Sequence, residues 1–224
     1  ASRKGAAWLM GVQNSDGGFP TFCKGWGLLP FDQSCCDITA HAISALNEWH
    51  VRFADAAKFQ GRFEARMIKA IRRGVKFLRA QQESDGRWVP LWFGNEQADG
   101  QANGVYGTAR VLIGLARVRG FDVTDLVERG RGYLLAQQNS DGGFGGELGC
   151  DSSIEETALA CWALGVSGES TDEIERGLAW LQTKTENGAH WPPSPIGLYF
   201  ASLWYSEDLY PLVFTAGSLG ALGL

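Results

Sequence analysis

The fold of this protein is decided by a stretch that reads Lys4-Gly5-Ala6-Ala7-Trp8-Leu9. After three intervening residues it continues as Gln13-Asn14-Ser15-Asp16-Gly17-Gly18-Phe19. Three further copies begin at the basic-glycine pairs Arg73-Gly74, Arg129-Gly130 and Arg176-Gly177. Counted from each glycine, an aromatic residue follows after three positions, a leucine after four and a second aromatic after fourteen. The second aromatics are Phe19, Trp88, Phe144 and Trp191. Three copies also carry a glutamine eight positions and an aspartate eleven positions after the glycine, whereas the fourth has Thr185 and Gly188 there and is degenerate.

Each copy predicts a helix, a turn and an aromatic plug. Apolar residues fall at helical spacing up to the glutamine, and Asp-Gly then supplies the turn that ends the helix. The second aromatic can bury a large area, and the glutamine amide can bond backbone groups that the end of a neighbouring helix leaves unpaired. We therefore interpret the motif as a packing element that joins adjacent units rather than as part of a reacting site, and expect all four plugs to be largely buried.

A second pattern lies between the copies. A Thr-Ala pair is followed by a leucine seven positions after the threonine, at Thr39 to Leu46, Thr108 to Leu115 and Thr157 to Leu164. Small residues are frequent in these segments, which favours closely packed inner helices. Alternation of the two patterns predicts an all-α fold, an α/α toroid or part of an (α/α)6 barrel built from helical hairpins, in one domain over residues 1–224. Insertions follow the plugs at 20–36, 89–104 and 145–152, at one end of the barrel, where function in repeat folds gathers.

Composition argues against several classes of protein. The chain has 20 Lys and Arg against 25 Asp and Glu, a net charge of -5 that argues against nucleic-acid binding. Its five cysteines form no C-x-x-C pair and no close Cys/His cluster, so a disulfide framework and a zinc knuckle are not indicated and we expect neither metal nor cofactor. No signal-peptide pattern and no charge-free apolar run of 18 residues occur. Because Ala1 directly precedes a helix, we expect that sequence upstream is missing.

Two stretches suggest surface functions. Seven basic residues, Arg62, Arg66, Lys69, Arg72, Arg73, Lys76 and Arg79, crowd one helical segment, which is either a solvated outer face or a contact with anionic lipid. The uncharged segment Trp26–Phe31 is either tucked into the core or an element for membrane contact or substrate entry.

Taken together, the four copies resemble the QW motifs of the squalene-hopene cyclase and oxidosqualene cyclase family. Further segments follow the order of the C-terminal half of the bacterial cyclases: Leu29-Pro30-Phe31, Asp37-Ile38-Thr39-Ala40-His41, Tyr106-Gly107-Thr108 and the tail Tyr199–Tyr205. The resemblance covers essentially the whole chain. It implies the C-terminal part of a triterpene cyclase, an isomerase of triterpenoid or hopanoid biosynthesis that acts on squalene or a related polyprenoid without a cofactor.

The family's acid lies in an Asp-x-Asp-Asp-Thr motif, and no Asp-x-Asp-Asp occurs in these 224 residues. A proton donor would therefore come from a missing N-terminal half. Protonating an alkene needs a strong acid, and a carboxylic acid becomes stronger when a cationic donor holds its conjugate base. The resemblance assigns that support to His41, joined by Asp37 four residues earlier, although a histidine in an alanine-rich helix is often a core residue.

The resemblance also implies an aromatic-lined, dry cavity, because aromatic faces stabilise carbocations without offering a base. Candidate lining residues are Phe22, Trp92, Tyr106 and Tyr199, each of which could equally be plain core. Phe31 falls at the family's constriction between substrate channel and cavity. These cyclases sit in one leaflet, so we expect a peripheral protein on the cytoplasmic face of the membrane.

Two other classes stay open. A protein prenyltransferase β subunit shares the toroid and invites comparison through Cys150-Asp151, but its zinc-binding Asp-x-Cys pair is missing. A toroid kept as a non-catalytic binding or scaffold module is favoured by the absent acid. Half a toroid would expose inner-helix surface, so a homodimer is a further expectation.

Overall fold

The computed structural model describes residues 2–24, 32–53, 61–168, 172–198 and 202–224. These ranges contain eight α-helices: α1 Ser2–Val12, α2 Cys36–Phe53, α3 Arg62–Gln81, α4 Gly104–Leu115, α5 Thr124–Ala136, α6 Ile154–Ser167, α7 Asp172–Lys184 and α8 Tyr210–Leu222. Five strands of two or three residues accompany them: β1 Phe19–Pro20, β2 Ser34–Cys35, β3 Phe93–Gly94, β4 Ile196–Leu198 and β5 Leu203–Tyr205. The all-α prediction is confirmed, with small sheets that the sequence did not predict.

The chain divides into two compact units. One comprises residues 1–82 and 114–126, and the other comprises 83–113 and 127–224. The single domain over residues 1–224 stays a prediction. Helices α1, α3, α5 and α7 carry the four motif copies and are called the motif helices; α2, α4, α6 and α8 alternate with them.

The glutamine of each complete copy binds a backbone carbonyl of the next motif helix, although these carbonyls lie within the helix or in its first turn and are not the unpaired end groups that the sequence analysis expected. Gln13 donates from Nε2 to the carbonyl oxygens of Gly17 at 2.8 Å and Ala70 at 2.9 Å. Gln82 donates to the Leu126 carbonyl at 3.1 Å, and Gln138 donates to the Glu173 carbonyl at 2.7 Å. Each long-range acceptor lies three residues before the arginine of the next basic-glycine pair. A constant sequence offset therefore produces a constant contact between neighbouring copies.

The Asp-Gly turn meets the same arginine. Gly17 and Gly86 have φ of +100° and +98°, in the region that favours glycine. A Cβ atom at Gly17 would lie 2.5 Å from the Arg73 carbonyl oxygen, and one at Gly86 would lie 2.3 Å from that of Arg129. The turn of one copy and the basic-glycine pair of the next thus form one backbone contact that only glycine allows.

The first three plugs are fully buried: Phe19, Trp88 and Phe144 are at most 1% exposed. The N–H of each plug donates to the hydroxyl of a Thr-Ala threonine: Phe19 to Thr39 at 2.8 Å, Trp88 to Thr108 at 3.0 Å and Phe144 to Thr157 at 2.9 Å. The two sequence patterns therefore meet at one buried hydrogen bond, which the sequence analysis did not foresee.

The fourth copy is built differently, and its plug is less buried than the other three. Trp191 is only partly buried, and its indole donates to the Gly188 carbonyl at 2.9 Å. Thr185, in place of the glutamine, bonds back to Leu181 of its own helix. Helix α8 carries Thr215-Ala216 with Leu222 seven positions on, a fourth instance of the second pattern that the sequence analysis missed. The Thr215 hydroxyl has no partner among the described residues, and a cavity of about 400 Å³ is lined by Trp191 and Thr215.

The strands form two antiparallel sheets in the insertions and the tail. Phe19 pairs with Cys35 in the first sheet. In the second, the strand order is β3-β4-β5, with Phe93 opposite Leu198 and Gly197 opposite Trp204. This second sheet joins the segment after the second plug to the tail. Within the described ranges, no helix is both long and apolar enough to cross a bilayer.

Candidate functional site

Helix α2 holds the two candidate catalytic residues. Asp37 lies in the first turn, is 5% exposed and accepts a hydrogen bond from the Cys35 thiol. His41 lies one turn further along the same helix and is partly buried. The i and i+4 positions put both side chains on one side of the helix, and a helix N-terminus favours a carboxylate in its first turn. Their catalytic roles stay predictions.

Two of the candidate lining residues belong to the second unit and are buried. Trp92 and Tyr106 are 9% and 6% exposed. Phe93, which the sequence analysis did not single out, follows Trp92 in the chain, and its ring centroid is 4.7 Å from that of Tyr106. We call Trp92, Phe93 and Tyr106 the aromatic wall. It forms because β3 begins next to Trp92 and packs Phe93 against the first turn of α4.

The other candidate lining residues are placed as follows. Leu198, opposite Phe93 in the sheet, directly precedes Tyr199, but Tyr199 itself and Phe31 lie outside the described residues, as does the apolar stretch 26–31. Phe22 belongs to the first unit, follows β1 and is 66% exposed. Its role in substrate binding stays a prediction.

A buried carboxyl group that the sequence analysis overlooked stands beside the aromatic wall. Glu156 of α6 is 4% exposed, and its Oε1 accepts hydrogen bonds from Asn103 Nδ2 at 2.8 Å and from Asn95 Nδ2 at 3.3 Å. Its Oε2 is shielded from solvent and has no hydrogen-bond partner among the described residues. The signal in the sequence was the pair Glu155-Glu156, which directly precedes Thr157 in a helix that is otherwise apolar at its start.

The electrostatics of this acid follow from its surroundings. Burial raises the pKa of Glu156 to about 7, and the neighbouring charge of Glu155 adds to the rise, while the hydrogen bonds from Asn103 and Asn95 oppose it. Glu155 is also buried, but it accepts hydrogen bonds from the Ser194 N–H at 2.9 Å and the Ser194 hydroxyl at 2.7 Å. Both carboxylate oxygens of Glu155 thus accept hydrogen bonds, whereas only one oxygen of Glu156 does.

Asn103 links this acid to the aromatic wall. It directly precedes α4, and its Oδ1 accepts a hydrogen bond from the Tyr106 N–H at 2.8 Å. Because that N–H is one of those a helix N-terminus leaves unpaired, Asn103 acts as the cap of α4. The same side chain therefore caps the helix with its oxygen and binds Glu156 with its nitrogen.

Cys150, which invites the prenyltransferase comparison, and Cys161 are both buried. Burial raises the pKa of the Cys161 thiol to about 12 and also raises the pKa of Cys150. Cys161 packs where Gly177 approaches α6, since a Cβ atom at Gly177 would lie 2.4 Å from its Sγ. Cys161 is thus part of the helix packing. In the described part of the chain, no group of three or more His, Cys, Asp or Glu side chains is placed to hold a metal ion.

The basic helix is α3. Arg73 donates to the Asn14 carbonyl at 2.6 Å, and Arg79 pairs with Asp125 at 2.6 Å. These two arginines join neighbouring copies. Five others are exposed: Arg62, Arg66, Lys69, Arg72 and Lys76. Contact with anionic lipid stays a prediction for this exposed set.

Comparison with known proteins gives consistent matches. The family model of the squalene-hopene cyclase C-terminal domain matches residues 1–198. A squalene-hopene cyclase from Bradyrhizobium diazoefficiens is 28% identical over 212 residues, which cover 83% of this chain and 29% of that protein. The lanosterol synthase of Mus musculus is 26% identical over 246 residues, covering 95% of this chain and 31% of that protein. The chain thus spans about 30% of the length of these two relatives.

Among solved structures, the ent-copalyl diphosphate synthase from Streptomyces platensis aligns with 95% of this chain and 37% of its own. The TM-score is 0.67 at 22% sequence identity. At that identity the likeness concerns the fold, and it confirms the predicted α/α-toroid class.

Proposed function

The chain belongs to the squalene-hopene cyclase family, whose C-terminal domain it matches, and from this premise we propose that it forms part of a cyclase that folds an apolar polyprenoid, squalene or a relative, through carbocation intermediates. The observation that carries the proposal is the aromatic wall. Phe93 and Tyr106 are in ring contact, and the buried Trp92 directly precedes Phe93 in the chain. The π faces of such side chains can stabilise a cation without offering it a nucleophile.

In this proposal the proton comes from an acid outside the chain, and α2 supports that acid. A cationic His41 would hold the conjugate base and so strengthen the acid, and Asp37 would join this network from the same side of α2. The two residues share one side of α2, which supports their acting together. The protein would work on the cytoplasmic face of a membrane, since a polyprenoid substrate partitions into lipid, and association with a second copy or an N-terminal half would cover the exposed apolar surface.

The test is turnover of squalene by the natural full-length protein in detergent. His41→Ala should lower kcat by roughly 100-fold or more with little change in KM, because the lost interaction acts on proton transfer and not on substrate binding. His50→Ala is the matched control: it lies on the same helix, where His50 pairs with Glu64 at 3.7 Å, and it should stay close to wild type.

Equal rates for His41→Ala and the wild type would remove His41 from the mechanism. Absence of any cyclised product from the wild type would favour a non-catalytic binding module instead.

A further inference from the structure

We propose that Glu156 is a positioning residue of the aromatic wall, which fixes Tyr106 through Asn103 and the segment around Phe93 through Asn95. The catalytic consequence rests on the proposed cyclase function, whereas the structural part does not. No candidate role in the cyclase mechanism above requires this residue.

The link to Tyr106 runs through a side chain that is bonded at both ends. Asn103 is 0% exposed, accepts from the Tyr106 N–H at 2.8 Å and donates to Glu156 at 2.8 Å. An amide held at both its oxygen and its nitrogen cannot rotate without losing one bond, and no water can replace a bond at a fully buried site. Glu156 therefore sets the orientation of Asn103, and Asn103 sets the first turn of α4.

The link to Phe93 uses the same carboxylate oxygen. Asn95 directly follows β3, donates to Glu156 Oε1 at 3.3 Å and accepts from the Gln97 N–H at 3.0 Å. The Asn95 backbone N–H also donates to the Gln101 carbonyl at 3.0 Å, which closes the loop that leads to Asn103. Both sides of the ring contact between Phe93 and Tyr106 thus depend on one acceptor atom.

The neutral acid suits this arrangement better than the carboxylate. Oε1 can accept from both amides in either form, but ionisation would leave a buried negative charge on Oε2 with no donor among the described residues. The neighbouring charge of Glu155, which precedes it on α6, also disfavours the ionised form of Glu156. With the pKa of Glu156 raised to about 7, the wall would be held best below neutral pH.

The sign of the pH dependence follows from linkage. The folded state holds this proton more tightly than the unfolded chain, so the stabilisation is complete below the pKa of an unfolded glutamate and is lost as the pH rises toward 7. The thermal midpoint should therefore fall between about pH 5 and pH 8 through this group.

The first experiment needs no substrate. In the natural full-length protein, Glu156→Leu should lower the hydrogen-exchange protection of the Tyr106 amide, while the Phe144 amide, bonded to Thr157 in the same unit, keeps its protection. Glu156→Gln, which imitates the neutral acid, should keep the Tyr106 protection and remove the loss of thermal midpoint between pH 5 and pH 8. Glu155→Gln should move that loss to lower pH, because it removes a charge that raises the pKa of Glu156.

The second experiment measures turnover of squalene and the ratio of cyclised products. Glu156→Leu should lower kcat/KM by roughly 10- to 100-fold and change the product ratio, since a displaced wall misaligns the reacting chain. Glu156→Gln should restore the product ratio and show a smaller decline in rate between pH 6 and pH 8 than the wild type.

The outcomes separate the two proposals. Unchanged Tyr106 protection in Glu156→Leu, or a pH-dependent midpoint in Glu156→Gln identical to that of the wild type, would overturn the positioning role. If Glu156→Leu does not fold, the pH series of the two glutamine variants decides the question. If the wild type yields no product, the cyclase proposal fails, while the exchange and melting results still test Glu156.

Discussion

Replacing the Thr-Ala threonines by valine tests the buried hydrogen bond between each threonine hydroxyl and the backbone N–H of a plug. Thr39→Val, Thr108→Val and Thr157→Val keep the side-chain shape but remove the oxygen that accepts the plug N–H at 2.8, 3.0 and 2.9 Å. All three threonines are 0% exposed, so no water can take the place of the hydroxyl. Each variant should lose about 1 to 3 kcal/mol of the free energy of unfolding, the cost of one unsatisfied buried donor. Thr157→Val should lie at the upper end, because its hydroxyl also lies 3.4 Å from the Phe144 carbonyl.

Thr215→Val is the matched control. Thr215 occupies the equivalent place on α8, but its buried hydroxyl has no partner among the described residues. Removing it should leave the stability unchanged or raise it by up to roughly 1 to 3 kcal/mol, since the valine buries no unpaired oxygen. Urea denaturation followed by circular dichroism measures all four variants against the wild type. A loss for Thr215→Val as large as for the other three, or no loss for those three, would refute the reasoning.

Two further predictions concern the turns of the motif copies. Gly86→Ala should destabilise the protein more than Gly120→Ala. Both glycines have positive φ, but only at Gly86 would the new Cβ meet a backbone atom, the Arg129 carbonyl oxygen at 2.3 Å. Equal thermal midpoints for the two variants would contradict this prediction. Burial works against ionisation of Asp141, but its hydrogen bonds outweigh burial and lower its pKa; the donors are the Gly143 N–H, the Ser152 hydroxyl and the Trp180 indole. Its stabilisation is therefore present above the unfolded pKa near 4 and is lost as the pH falls further, so the midpoint difference between wild type and Asp141→Asn should shrink between pH 6 and pH 2.5.

The candidate site was only partly accessible to sequence reasoning. Trp92 and Tyr106 became candidates through the resemblance, and the structure packs Tyr106 against Phe93. Glu156 was missed because charged residues are usually solvated, so the pair Glu155-Glu156 at an otherwise apolar helix start was not interpreted as buried. Its two partners come from positions 95 and 103, at spacings that follow no helix or strand period.

The sequence by itself determined the repeating unit, because helical periodicity, an Asp-Gly turn and a plug at a constant offset are properties of a few consecutive residues. Gln13, Gln82 and Gln138 therefore reach the next copy at the same register, as their spacing implied. Only the tertiary structure decided which hydroxyl receives each plug amide, since the threonine follows the plug by 20, 20 and 13 residues through insertions of different length. The tertiary structure likewise decided that Glu156 is enclosed with one oxygen unpaired. A carboxyl group takes its pKa from the whole of its surroundings, and those surroundings are assembled from loops that no local pattern predicts.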